Sequence, residues 1–389
     1  MPDELTAPIE PKPIARVEYE LRLQRLRHAM RQLGFDAVVA YANKTHPGHV
    51  RYITGYESRL GIHDSSMFLV TADECVLFTN ASFDRPSEQT WLQEAVVTSD
   101  YAREIAARLP GTGRVGIAGL TALPAPVYLG LARQLPQLEL VDASPLLLRL
   151  RAVKSDSEIA LLRSVARITD AGGLAFFESA IAGTTEREVL VAVESALKRA
   201  GSDEVSFATQ VACGPRTEQV VVFATNNRLR EGCAVQLDCG ATFQGYRGDL
   251  SRVVLLGCVP ARLQAMFAAT LEMYDQCLPL LRPGAVCCDV ARHALAVATR
   301  HGFGQAMYRS PNHDAGFVGH GIGCSYSEPP ELSTTDQTIL EENMVIVLEP
   351  ILAERGLGGV KLEDAVLITS AGPERLSTLP LEREKASIL

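Results

Sequence analysis

Tyr19, Leu23, Leu26, Met30 and Leu33 recur at alternating steps of four and three, which predicts a helix from about Arg16 to Leu33 that Gly34 ends. Arg22, Arg25, Arg27 and Arg31 lie between the apolar positions and read as its solvated face. Short apolar runs follow: DAVVAYA at 36–42, VRYITGY at 50–56, and SMFLVTA and CVLFTN on either side of an acidic turn at Asp73–Glu74. Each predicts a strand. YAREIAARL predicts a helix, and RVGIAG, after the GTG turn at 111–113, predicts another strand. That alternation is the mark of an α/β domain, expected over 15–150.

The pattern changes in LLLRLRAVKS at 146–155, and a second domain is expected over 151–389. Ser155 and Glu158 form a capping box ahead of a helix that carries Ile159, Leu162, Val165 and Ala166 on one face. Thr185 and Glu188 open a second helix in the same way. VSFATQVACG and VVVFA read as strands. The stretch AVQLDCGATFQGYRGDLSRVVLL at 234–256 then reads as a hairpin with Asp238 and Asp249 on its two apolar strands. Helices fit 261–282, ended by Pro283-Gly284, and 286–301, ended by Gly302. Beyond 312 the chain is loop and strand, dense in candidate chemistry, and no internal repeat is visible.

At 389 residues the chain exceeds the size at which one core usually stops growing, so two domains are expected, and 47% apolar residues fit a globular protein. With 37 basic against 46 acidic side chains there is no electrostatic footprint for a polyanion, which argues against a nucleic-acid partner and for a small-molecule or short-peptide substrate. Nine cysteines without a CxxC pair fit free thiols in a reducing cytosol. The segment MPDELTAPIEPKP has neither the basic nor the apolar region of a signal peptide, and no apolar run is long enough to span a bilayer. A cytoplasmic location, no membrane partner and a flexible arm at 1–14 are therefore expected.

The chemistry rests on acids placed where burial normally excludes them. Asp238 lies in a run with Val235 and Leu237, where an unpaired charge is costly unless a cation or hydrogen bonds compensate it. Glu349 ends the run MVIVL, Glu363 precedes the strand AVLIT, and His320 sits in Gly319-His320-Gly321-Ile322-Gly323, where glycines let the backbone approach closely. Each alone has a plain reading: turn or cap residues for the aspartates, a structural histidine, and a salt bridge from Lys361 to Glu363. Together, four carboxylates and one imidazole suit Mn²⁺, Zn²⁺, Co²⁺ or Fe²⁺, and the surplus negative charge suits two divalent ions. Two ions about 3.5–4 Å apart share and activate a water, the template of metal-assisted hydrolysis. The Cys239 side chain should point to the opposite strand face and pack.

The order Asp238, Asp249, His320, Glu349, Glu363, set in LDCGATFQGYRGDLSR, GHGIG, VLEP and VKLEDAVLIT, resembles the aminopeptidase P, prolidase and creatinase family, the pita-bread metallohydrolases. RAVKSDSEIALLRSVARITDAG resembles that family's interdomain passage, and the likeness spans about residues 16–375. It implies an α+β fold: a C-terminal pita-bread domain preceded by a smaller α/β creatinase-like domain. It also implies two divalent metal ions and hydrolysis of a C–N bond, commonly in Xaa-Pro peptides, by a metal-bridging hydroxide. By position Asp238 ligates one metal, Asp249 and Glu363 bridge, and His320 and Glu349 complete the other, with Glu349 also taking a proton from the water. The likeness further implies a homodimer with shared active sites, in which Arg59 and His63 of the loop ESRLGIHDS reach the partner's substrate.

The departures bear on substrate. Where the family usually has a second histidine, seven residues after the metal histidine, this chain has Ser327, followed by Glu328-Pro329-Pro330. Where it usually has one upstream of the first aspartate, this chain has Val222-Phe223, and the arginine before the last glutamate is Lys361. Ser327 and Tyr326 still donate hydrogen bonds, though weaker ones than an imidazolium. A substrate other than a generic peptide is expected, such as a small amino-acid derivative with an amide or amidine bond, contacted by Ser327, Tyr326, Phe223 and Lys361. Two other classes stay open: a lyase on the same metal cradle, and a non-catalytic binding or scaffold protein. Product analysis separates the first, and metal content with a chelator test separates the second.

Overall fold

The computed structural model describes residues 13–58, 64–81, 85–309 and 316–382. Arg59, His63 and most of the N-terminal arm lie outside the described residues. The chain divides into two compact units, 13–151 and 152 onward.

In the first unit, helix α1 (Arg16–Leu33) buries Tyr19, Leu23, Leu26 and Met30, and Gly34, at φ 69°, closes it with its N–H on the carbonyls of Met30 and Arg31. Arg22 departs from the expected solvated face. Its side chain is 1% exposed, donating to the Tyr52 carbonyl at 3.1 Å and pairing with Glu18 at 3.0 Å, so a cation beside an apolar stripe is buried because it is fully partnered. The strands β1 (Ala37–Asn43), β2 (Ser65–Val70), β3 (Cys75–Thr79), β4 (Ala95–Val97), β5 (Gly113–Ala118) and β6 (Leu138–Asp142) form a mixed sheet in the order β4-β3-β2-β1-β5-β6. The helices between and after them are α2 (Gly48–Thr54), α3 (Pro86–Gln89), α4 (Tyr101–Ala106), α5 (Ala125–Gln134) and α6 (Ser144–Ala152).

The expected strand at 50–56 is instead α2. Val50, Ile53 and Thr54 fall at steps of three and four, the Thr54 hydroxyl donates back to the Val50 carbonyl at 2.8 Å, and Gly55 at φ 74° ends the helix. Its β-branched composition favoured a strand, but a run this short fits either period.

In the second unit both capping boxes form: Ser155 with Glu158 on α7 (Asp156–Ser179), and Thr185 with Glu188 on α8 (Glu186–Arg199). The strands are β7 (Glu204–Val205), β8 (Gln210–Cys213), β9 (Cys233–Cys239), β10 (Ala241–Phe243), β11 (Tyr246–Arg247), β12 (Leu250–Leu256), β13 (Phe317–Gly321), β14 (Glu328–Ser333), β15 (Val345–Leu348), β16 (Ile351–Glu354), β17 (Gly358–Lys361), β18 (Glu363–Thr369) and β19 (Gly372–Arg375). The large antiparallel sheet runs β14-β13-β15-β18-β12-β9-β8, with β19 also on β18. Helices α9 (Ala261–Cys277) and α10 (Cys287–Arg300) cover one face, where Met266, Met273, Ala294 and Val297 pack with Val253, Ile346 and Val366. The expected helix to 282 stops at Cys277, because Pro279 in the following 3₁₀ turn (Leu278–Leu280) has no N–H to continue the ladder.

Two further expectations change. Residues 220–224 form no strand: the loop is tied by side chains instead, the Val222 N–H donating to Gln210 Oε1 and Arg216 donating to the Phe223 carbonyl. Val221 and Phe223 are left 68% and 67% exposed. Asp249 sits just ahead of β12, not on it. Among the described residues no helix is long and apolar enough to cross a membrane.

Candidate metal centre

The register of the sheet assembles the acids. Ser251 on β12 lies opposite Asp238 on β9 and opposite Glu363 on β18, and residues paired directly across strands share a face, so the two carboxylates flank one serine. Asp238 is also opposite Gln210 on β8. His320 on β13 pairs with Val347 on β15, and the close approach depends on Gly319, at φ 151°, where a Cβ would strike the Val347 carbonyl. Glu349 follows β15, held by its N–H on the Val318 carbonyl at 2.8 Å. Gly240 and Gly248 likewise meet backbone to backbone, which fixes the turn ahead of Asp249.

These residues form the floor of a cavity of about 390 Å³. Asp238, Asp249, His320, Glu349 and Lys361 line its base, with Glu363 wholly buried behind them. Phe207, Val220, Val221, Phe223, Phe317 and Tyr326 make an apolar wall, and Ser327, Glu331 and Tyr308 add polar atoms.

His320 Nδ1 lies 2.9 Å from the Gly321 carbonyl, which places the proton there and leaves Nε2 as a lone-pair donor. Nε2 faces Asp249 Oδ2 at 3.7 Å and Glu349 Oε2 at 3.9 Å. Ligand atoms of Asp249, His320 and Glu363 all lie within 4.8 Å of one another. Asp238 Oδ1, Asp249 Oδ1 and Glu363 Oε1 are buried with no hydrogen-bond partner. Buried, unpartnered carboxylate oxygens beside an available imidazole nitrogen are the donor set of a divalent cation, so the residues fit a metal.

Three of the other five carboxylate oxygens have close polar partners, and the remaining two, Asp249 Oδ2 and Glu349 Oε2, face His320 Nε2. Asp238 Oδ2 accepts from Gln210 Nε2 at 3.0 Å and from Lys361 Nζ at 2.7 Å, and the same ammonium pairs with Glu349 Oε1 at 2.5 Å. Glu363 Oε2 accepts from the Ser251 hydroxyl at 2.5 Å. Burial, reinforced by Glu363 and Asp238, pushes the Asp249 carboxyl well above the usual carboxylate range. Burial also raises Glu363, with Glu349 adding to it, and raises Asp238 against the opposing pull of Lys361. Burial disfavours the Lys361 ammonium, but Asp238 and Glu349 outweigh it and hold the group well above its ordinary value.

Behind the centre, Arg252 and Arg375 pair with the buried Asp364 at 2.7 and 2.9 Å, and Tyr274 donates to it at 2.8 Å. Arg252 also donates to the Glu363 carbonyl at 2.7 Å, anchoring the strand end that bears this candidate ligand.

All five candidate ligands therefore converge. Ser327, Tyr326 and Phe223 line the cavity, Tyr326 45% exposed and in ring contact with Phe207 at 5.6 Å. Lys361 lies closer to Asp238 and Glu349 than to Glu363, at 3.7 Å, its expected partner. Sequence reasoning missed Gln210, whose only signal was an amide inside an apolar strand, and Ser251, which reads as an ordinary strand residue. Glu328, next to Ser327, is spent in a buried pair with Lys154 at 3.1 Å.

The comparisons with known proteins agree with this geometry. Residues 22–153 match the Creatinase/Prolidase N-terminal domain. The chain is 28% identical over 357 residues to a Xaa-Pro dipeptidase of Pyrococcus furiosus, covering 92% of this chain and 97% of that protein. A prolidase structure from Pyrococcus horikoshii superposes with a TM-score of 0.83 at 26% identity, over 92% of this chain and 99% of the other. A Xaa-Pro dipeptidase from Bacillus anthracis gives 0.81 at 25% identity, over 93% and 98%. With its α+β architecture of a creatinase-type N-terminal domain and a pita-bread C-terminal domain, and with residues 160–370 matching metallopeptidase family M24, the chain belongs to that family.

Proposed function

We propose that the protein is a divalent-metal-dependent hydrolase of the C–N bond in a short peptide or small amino-acid derivative, related in reaction to the Xaa-Pro dipeptidases it resembles. The carrying observation is that ligand atoms of His320, Asp249 and Glu363 lie within 4.8 Å of one another at the base of an open cavity, both carboxylates keeping one buried, unpartnered oxygen. Asp249, His320, Glu349 and Glu363, with Asp238 beside them, are the residues that would hold Mn²⁺, Zn²⁺, Co²⁺ or Fe²⁺. A bound divalent ion supplies Lewis acidity and a water of lowered pKa. Glu349 Oε2, facing His320, accepts a proton from the nucleophile, while Lys361 fixes the other carboxylate oxygen. The apolar wall takes a ring or aliphatic side chain, and the volume suits a dipeptide-sized ligand.

Ser327 and Tyr326 offer hydroxyls, not imidazoles, to charge developing on a substrate carbonyl, and the 220–224 loop offers apolar surface. This supports a substrate that demands less stabilisation than a generic Xaa-Pro peptide. A metal-loaded enzyme should hydrolyse Xaa-Pro dipeptides slowly, lose all turnover with a chelator, and gain about tenfold in kcat/KM on them in Ser327→His. Fast cleavage of varied Xaa-Pro peptides with no gain in that variant refutes the substrate assignment. Full activity in the metal-free protein refutes the metal-dependent reading.

A further inference from the structure

We infer that Lys361 is a built-in second cation: its ammonium holds the Asp238 side of the cradle, so the centre takes one divalent ion, on the His320 side, together with one protein-borne positive charge. The inference rests on the metal-dependent reading above and specifies its cation content.

Lys361 Nζ lies 2.7 Å from Asp238 Oδ2 and 2.5 Å from Glu349 Oε1, so it bridges two carboxylates across the cavity floor as a small cation would. The side chain is 6% exposed and enters from the end of β17, paired with Ile351 and followed by Leu362, whose N–H lies on the Pro350 carbonyl at 3.3 Å. Gln210 takes a further share of Asp238 Oδ2. On the His320 side, ligand atoms of Asp249, His320 and Glu363 lie within 4.8 Å of one another, and Asp249 Oδ1 and Glu363 Oε1, like Asp238 Oδ1, have no hydrogen-bond partner. An ion there uses donors that nothing else uses. A second ion ligated through Asp238 would sit against the ammonium at close range in a buried site, where repulsion between like charges is poorly screened. A lysine suits this role because its charge is a compact point charge on a flexible stem. With four carboxylates around the floor, one ammonium and one divalent ion leave a modest negative balance.

Metal content tests the inference without reference to turnover. Protein stripped by chelator, reloaded with excess Mn²⁺ and desalted should carry about one equivalent per chain in the wild type and about two in Lys361→Gln and Lys361→Met. Electron paramagnetic resonance should show an isolated Mn²⁺ in the wild type and an exchange-coupled pair in both variants. Two tightly held, coupled ions in the wild type overturn the inference while leaving the metal-dependent reading intact. No retained metal in the wild type overturns both. One ion in the wild type and still one in both folded variants shows that Lys361 does not exclude the second, and also overturns it.

Discussion

Asp364 shows how much of the centre depends on a residue that never touches the cavity. It accepts from Arg252, Tyr274 and Arg375 while fully buried, and Arg252 continues to the Glu363 backbone. Asp364→Asn strands two guanidinium groups and should cost about 3–5 kcal/mol in chemical denaturation, because breaking one member of a buried charge network leaves the others uncompensated. Glu363→Gln, by contrast, keeps a hydrogen-bond partner for Ser251 but loses a charged donor, so it should fold normally and lose at least about tenfold in metal affinity by titration. The five candidate ligands were legible as acids and a histidine in apolar or glycine-rich settings. The reach of Lys361 was not. It precedes Glu363 by two positions, which suggests a local pair, yet β17 ends at Lys361 and β18 begins at Glu363, and the break at Leu362 sends the ammonium to Asp238 and Glu349.

At the scale of elements, helix starts were legible because a capping box is a local chemical signature. Ser155→Ala should destabilise the protein by about 1 kcal/mol, measured as a lowered denaturant midpoint at unchanged slope. Helix against strand at 48–54 was not legible because a run this short fits either period, and the absence of a strand at 220–224 was not because side chains from outside that run tie it. The buried Glu186 accepts from the Cys213 and Thr225 N–H groups and from Asn227, and pairs with Arg216, pinning the loop that presents Phe223 to the cavity. Those hydrogen bonds to Arg216, Asn227 and Thr225 outweigh burial and hold its carboxyl below the usual range. Glu186→Ala should cost about 2–3 kcal/mol and raise KM more than it lowers kcat, because it frees a wall and spares the cradle.

At the scale of the whole molecule, the chain carries a single tryptophan, and Trp91 lies in the 13–151 unit, donating to the Ile53 carbonyl at 2.8 Å. Its emission therefore reports the unfolding of that unit. In the same unit burial, then Arg151, lowers His49 to about 3. The unfolded chain takes up a proton on this histidine below about pH 6.5, while the folded unit refuses it until about 3, so stability falls as pH drops through that window. Between pH 7 and pH 5 the Trp91-detected stability should decline by about 1–2 kcal/mol more in the wild type than in His49→Gln. Two domains were legible from length and from the change of pattern near residue 150. The sheet orders were not, because strand neighbours such as β12 and β18 are more than a hundred residues apart.

Strand β18 begins with two acids in succession, Glu363 turned to the cavity and Asp364 to the arginine network behind it. The strand therefore works as a reading frame. Loss or gain of one residue at Leu362 would exchange the two faces, presenting the network's anchor to the candidate metal site and burying Glu363 among the arginines. The turn between β16 and β17, at Arg355–Leu357, carries no such phase, because β17 can keep its pairing with β16 while the turn lengthens. Length variation in this region should therefore be tolerated at the turn and refused at Leu362.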